Sequence, residues 1–215
     1  MKQGKISYPV LWFTKLTGVL PALLFFKPKV YYVDKKVQGR KLPKGSILMS
    51  NHKSLMDFVL YLVLFFGNNI RFLMAEVLYK KSKIFSWFLF ALGGIYVNRD
   101  ALNSDFMSYS VNVLDKGGVV GIFPEGRLPV GGKPFPFKPG ISYIAMNSDS
   151  VIIPVYTDGN YGLFKRARVV IGTPINLREY CNEDNPSVQE YDRLTNILQS
   201  KTDELKEFLG NCEKQ

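Results

Sequence analysis

The chain contains one histidine, His52, set in the run Ser50-Asn51-His52-Lys53-Ser54-Leu55-Met56-Asp57, which follows the apolar stretch Ile47-Leu48-Met49. Imidazole is the side chain best poised to take a proton near neutral pH, and a nearby carboxylate can fix its tautomer. His52 and Asp57 are five positions apart, which on an ideal helix leaves two side chains about 140° apart. They can meet only if His52 lies in the turn after a strand and Asp57 in the first turn of a helix. Ser54 as the helix cap gives that arrangement. Asp57 then accepts the Nδ1 proton and leaves Nε2 free to take a proton from a hydroxyl.

Cations and turns follow further along. Arg99, after the segment Ile95–Asn98, should face the same sheet edge as His52, and its planar fork of donors suits a phosphate. In Phe123-Pro124-Glu125-Gly126-Arg127, proline and glycine force a sharp turn that exposes backbone N–H groups and two opposite charges. Cys181 and Cys212 match no metal-ligand spacing and neither has a histidine available to it. Neither a metal centre nor a covalent nucleophile is expected.

The elements that must position these residues alternate. Short strands are expected at Val30–Val33, Ile47–Ser50, Asn69–Met74, Ile95–Asn98, Val119–Phe123, Val151–Tyr156 and Arg168–Ile171. Helices are expected from Ser54 through Phe58–Phe66, over Ser82–Leu92, over Ser104–Leu114, and at the end, where Val188, Tyr191, Leu194, Leu198, Leu205 and Phe208 recur at helical spacing. The fold class is α/β, a mixed sheet flanked by helices. No repeat or linker divides it, so residues 30–215 read as one domain behind residues 1–29.

The first segment is unlike the rest. Residues 1–45 hold ten basic side chains and one acid, Asp34, which accounts for +9 of the formal net charge of +10. Tyr8 to Phe26 is almost wholly apolar, interrupted by Lys15 and bent by Pro9 and Pro21. A spanning helix wants about 20 apolar residues with few charges, so two short helices lying in a membrane interface fit better than one span. A buried first helix of the core is the other alternative. No nucleic-acid recognition motif accompanies the charge, which favours anionic lipid as the partner. Nothing resembles a cleaved signal peptide.

Taken together and in this order, the His52 segment, Val97-Asn98-Arg99, Phe123-Pro124-Glu125-Gly126-Arg127 and Ile153-Pro154-Val155 resemble the glycerolipid acyltransferase family, in particular its bacterial 1-acylglycerol-3-phosphate acyltransferases. The resemblance runs from about Val37 to Ile175 and implies a mixed sheet behind an N-terminal helical membrane-anchoring motif. It implies His52 as general base and Asp57 as its orienter. The acceptor alcohol would then attack an acyl-CoA or acyl-carrier-protein thioester directly, turning lysophosphatidic acid into phosphatidic acid without a cofactor. Arg99, Glu125, Gly126, Arg127 and Lys138 would hold glycerol and phosphate, with Lys138 at the start of a helix running through Ala145. Pro154 would form wall and backbone geometry near the acyl site. The protein would work at the cytoplasmic face of the membrane, peripheral or monotopic. This chain has Asn98 where the family often has aspartate, joins Gly126 directly to Arg127, and carries Ala75 and Glu76 where relatives often have lysine; Lys80, Lys81 or Lys83 are the replacements at hand. Glycerol-3-phosphate, another lysolipid or an acylated amino-acid lipid as acceptor, hydrolysis of the thioester, and a non-catalytic membrane binder are the alternative readings.

Overall fold

The computed structural model describes residues 3–98 and 105–212. Among them, seven strands form one sheet: β1 (Lys29–Tyr32), β2 (Ile47–Ser50), β3 (Ile70–Ala75), β4 (Ile95–Val97), β5 (Val119–Ile122), β6 (Ile152–Thr157) and β7 (Arg168–Ile171), in the spatial order β1-β7-β6-β2-β5-β3-β4. Strands β2 to β6 are mutually parallel, β7 runs antiparallel to β6, and β1 is parallel to β7. The sheet is therefore mixed, and the carboxyl ends of β2 and β5 open side by side on one edge.

Alternation along each strand sorts the core onto two faces. Leu48, Phe72, Ile153 and Val155 face one side, where they meet α1 (Tyr8–Phe26), α2 (Asp57–Leu64) and α4 (Lys83–Ala91), α4 following the single-turn helix α3 (Glu76–Tyr79). Ile47, Met49, Val120 and Ile122 face the other, under α5 (Asp105–Asp115), α6 (Gly140–Ser148) and α7 (Val188–Asn211). Parallel strands need covered faces, and both are covered. The expected elements recur with ends shifted by a residue or two; the single turn of α3 and a 3₁₀ turn at Leu177–Tyr180 are additions.

The N-terminal segment departs from expectation. Tyr8–Phe26 is one continuous helix rather than two short ones. Pro21 removes one N–H and crowds one carbonyl, and it sits on the exposed side, where that carbonyl can be solvated. The helix ends at Lys27, whose left-handed backbone (φ 44°) lets its N–H cap the Leu23 carbonyl. By length and composition α1 could cross a membrane, yet its central charge is docked in the protein. Lys15 is buried, and its ammonium donates to the carbonyls of Phe66 (2.9 Å) and Asn68 (2.6 Å) and to Asn69 Oδ1 (3.3 Å), just past the end of α2. Burial pushes the Lys15 pKa down to about 8. Lys15→Met would leave two carbonyls without this donor, a cost of about 2 kcal/mol. We expect the midpoint of thermal unfolding to fall by roughly 4–8 °C for a chain of this size; an unchanged midpoint would show that the docking contributes nothing.

Candidate active site

Strand β2 ends at Ser50, and the chain is locked there before it turns. Asn51 is buried and pairs with the backbone of Thr157 at the end of neighbouring β6, accepting from its N–H (2.8 Å) and donating to its carbonyl (2.9 Å). His52 follows in the turn, and Asp57 is the first residue of α2, so the pair meets as the spacing requires: Nδ1 lies 2.8 Å from Asp57 Oδ2. Ser54 is not the helix cap. Its Oγ accepts from the Met56 N–H (3.1 Å) within the turn, and the helix begins only at Asp57. The carboxylate itself reaches back to order the turn, Oδ2 accepting from the N–H groups of Lys53 (2.7 Å) and Ser54 (2.9 Å).

Asp57 is fully buried. Its other oxygen, Oδ1, accepts from the Tyr161 hydroxyl at 2.6 Å. Burial, reinforced by neighbouring negative groups, holds the Tyr161 hydroxyl far above its ordinary pKa, so it stays a donor. Tyr61, deeper in α2, is raised too, first by burial and then by Asp57, and its hydroxyl bonds Ser50 Oγ. No side chain among the described residues bonds Nε2 of His52.

The imidazole plane is fixed by stacking as well as by hydrogen bonding. His52 lies on the Phe123 ring (centroids 4.3 Å, planes 15° apart), and Phe123 lies on Phe72 (5.6 Å, 14°). Gly121 makes room for this: a Cβ there would sit 2.3 Å from the Phe72 ring. Behind Phe123 the chain turns through Gly126 at φ 68°, a conformation that glycine adopts without strain. The methylenes of Lys138 lie close over that glycine, so a side chain at Gly126 would displace them. The Lys138 N–H bonds the Pro124 carbonyl (2.9 Å), which ties the turn to the start of α6.

These residues border an apolar cavity of about 830 Å³. His52, Arg127, Lys138 and Lys81 contribute to its wall, while Phe58, Phe85 and Leu89 are among the side chains lining its apolar part. Arg127 is exposed there, its guanidinium 4.7 Å from the centre of the Phe135 ring. The arrangement can offer a base at one end of an apolar slot and cations beside it.

Glu125, expected to bind glycerol or phosphate, and Pro154, expected in the wall of the acyl site, both lie elsewhere. Glu125 is 2 % exposed and does not line the cavity; its Oε1 accepts from the His52 backbone N–H at 3.0 Å. Burial raises its pKa above the usual carboxylate range, with the His52 N–H opposing the rise. Pro154 is buried in β6 beside Gly172 and Leu205, away from the cavity, because alternation points it to the α7 side of the sheet. Arg99 lies outside the described residues; Asn98, before it, lines the cavity. Of the three lysines offered as replacements, Lys81 lines the cavity, whereas Lys80 pairs with Glu76 at 2.9 Å.

Known proteins share the fold and the sequence pattern of this chain. The sequence model of the family described as Acyltransferase matches residues 34–158, more than half of the chain. A 1-acyl-sn-glycerol-3-phosphate acyltransferase of Borreliella burgdorferi is 27 % identical over 171 residues, covering 76 % of this chain and 67 % of that protein. The chloroplastic 1-acyl-sn-glycerol-3-phosphate acyltransferase of Arabidopsis thaliana is 25 % identical over 160 residues, covering 67 % of this chain and 44 % of its own length, so the chain spans less than half of that relative. Among solved structures, the 1-acyl-sn-glycerophosphate acyltransferase of Thermotoga maritima superposes with a TM-score of 0.58 at 21 % identity, covering 91 % of this chain and 82 % of that one, a likeness of fold.

Proposed function

The chain belongs to the acyltransferase family, and from that premise we propose that it moves a fatty acyl group from an acyl thioester to the free hydroxyl of lysophosphatidic acid, forming phosphatidic acid. One observation carries the reading: an imidazole whose Nδ1 is held by a buried carboxylate, with Nε2 left over, stands at the wall of an apolar cavity flanked by cations. Nε2 takes the acceptor's hydroxyl proton as the oxygen attacks the thioester carbonyl carbon. The carbon–sulfur bond then breaks, and the thiol leaves with a proton returned from the imidazolium. The apolar part of the cavity receives the acyl chain, and Arg127 and Lys138 receive the phosphate. Glu125 is assigned to holding the His52 backbone rather than to substrate. Acyl-CoA or acyl-carrier-protein is the donor. We place the protein at the cytoplasmic face of the membrane, held by α1 lying in the interface.

The test is release of free thiol from acyl-CoA by purified protein in detergent, with and without lysophosphatidic acid. Release that needs the acceptor and yields phosphatidic acid supports the proposal. Release without acceptor makes the protein a thioesterase. No release with either donor and any phosphorylated acceptor leaves a membrane binder without catalysis.

Arg127→Ala separates the acceptor site from the rest. Loss of a charge-assisted hydrogen bond should raise the acceptor KM about 10- to 100-fold, with the donor KM and the unfolding temperature unchanged. Equal losses on phosphorylated and unphosphorylated acceptors would remove this arginine from phosphate binding.

A further inference from the structure

We propose that the loop Tyr161–Ala167 is a membrane-contacting tip, adjoining the exposed C-terminal part of α1, that sets an anionic bilayer against the catalytic edge of the sheet. The proposal deepens the interfacial reading above by naming the surface that meets the lipid.

Topology places the loop. It joins β6 to antiparallel β7, so it emerges at the same sheet edge as the turn that carries His52. Its first residue, Tyr161, turns inward to Asp57 and stacks edge-on against Phe26 at the end of α1 (5.0 Å). Three residues later the chain points the other way. Leu163 is 63 % exposed and Phe164 is completely exposed, an arrangement that burying apolar surface cannot explain within this chain.

The tip is held rather than loose. Lys165 N–H closes a turn on the Gly162 carbonyl (3.0 Å), Ala167 N–H bonds the Phe26 carbonyl (2.8 Å), Arg166 Nε bonds the Lys27 carbonyl (3.2 Å), and the Lys27 ammonium donates to the Leu163 carbonyl. Four such bonds tie the loop to itself and to the end of α1, whose exposed Leu20, Leu23 and Leu24 continue the apolar surface.

Charge selects the occupant. Lys27, Lys29, Lys165 and Arg166 are all exposed around the tip, and no acid occurs anywhere before Asp34. Of the carboxylates near the loop, Asp57 is buried against Tyr161 and Asp158 is engaged by Arg168 at 2.7 Å. An apolar tip ringed by cations and continuous with an apolar helix face fits the headgroup boundary of an anionic bilayer. An acidic soluble protein would match the cations but would leave the helix face uncovered.

The experiment is co-sedimentation with phosphatidylcholine vesicles, with and without phosphatidylglycerol, and needs no turnover. Leu163→Ser with Phe164→Ser should weaken binding to the phosphatidylglycerol vesicles about tenfold. Lys165→Gln with Arg166→Gln should weaken it about fivefold per charge, an effect that disappears at high salt. Unfolding temperature and turnover of a short-chain acceptor dissolved as monomer should not change. Vesicle affinity unaltered in both variants overturns the proposal. So does loss of monomer turnover in the tip variant, or loss of binding to purified acidic carrier protein with vesicle binding intact. A wild type that binds vesicles through this tip but transfers no acyl group would refute the enzymatic reading and leave the surface standing.

Discussion

His52→Ala is expected to lower kcat for acyl transfer by about a thousandfold, within the usual range for removing a positioned general base. The expectation follows from the composition as much as from the geometry. With no second histidine in the chain, no other imidazole can take over the proton. Both thiols are remote in sequence, and neither Cys181 nor Cys212 lines the cavity. What survives is the reactivity of the thioester and the binding of two substrates side by side. Stability should be nearly untouched, because the ring is only partly buried and Asp57 keeps Lys53, Ser54 and Tyr161 as donors. Steady-state rates on acyl-CoA and lysophosphatidic acid, beside a thermal melt, check both halves. A variant that retains wild-type kcat would end the case for base catalysis by this residue.

Asp57→Asn should cost two to four orders of magnitude in kcat and also destabilise the fold. Four donors converge on this carboxylate: the His52 ring, two backbone N–H groups and the Tyr161 hydroxyl. An amide has one oxygen to offer in place of two. If that oxygen serves the turn, the amide nitrogen faces Tyr161, whose hydroxyl must accept instead of donate and turn its proton toward Thr157 Oγ1 (3.1 Å). If it serves Tyr161, the nitrogen faces the His52 ring and favours the tautomer with the proton on Nε2, which cannot act as base. Either way one of the carboxylate's accepting positions is lost and a buried network must rearrange, at about 1–3 kcal/mol. The signature is therefore joint, a slow enzyme that also melts early, whereas His52→Ala is slow and melts normally. Full activity in Asp57→Asn, with His52→Ala inactive, would leave the base standing and remove the orienting role.

Much of this was legible before any coordinates. Ile47–Ser50 and Arg168–Ile171 coincide with strands because their apolar residues have clear flanks, and helical angles rightly require His52 to sit in a turn ahead of Asp57, though Ser54 is not the cap expected there. The misreadings share a cause. Glu125 was given to substrate because a turn at a strand end suggests exposure, but its partner is an N–H in a segment 73 residues away. Tyr161 is hidden for the same reason: nothing near Gly159 announces that an aromatic hydroxyl in this loop reaches the carboxylate at the start of α2. Asn51 and Thr157 are a third such case. Pairing across a parallel sheet is long-range, and local pattern does not carry it. Pro21 differs: proline inside an apolar run predicts a break, but at an exposed position it only perturbs the helix.

The hydrogen bond from Tyr161 to Asp57 also sets an order in time. A ribosome that has just made Asp57 must add a further 104 residues before its last donor exists. Strand β1 likewise waits for β7, which is made later still. Contacts of such separation form slowly, and the sheet cannot close before β7 has been made. The apolar helix at the front of the chain is by then long finished. The growing polypeptide thus carries its greasy helix well before the carboxylate beside His52 has its full set of donors.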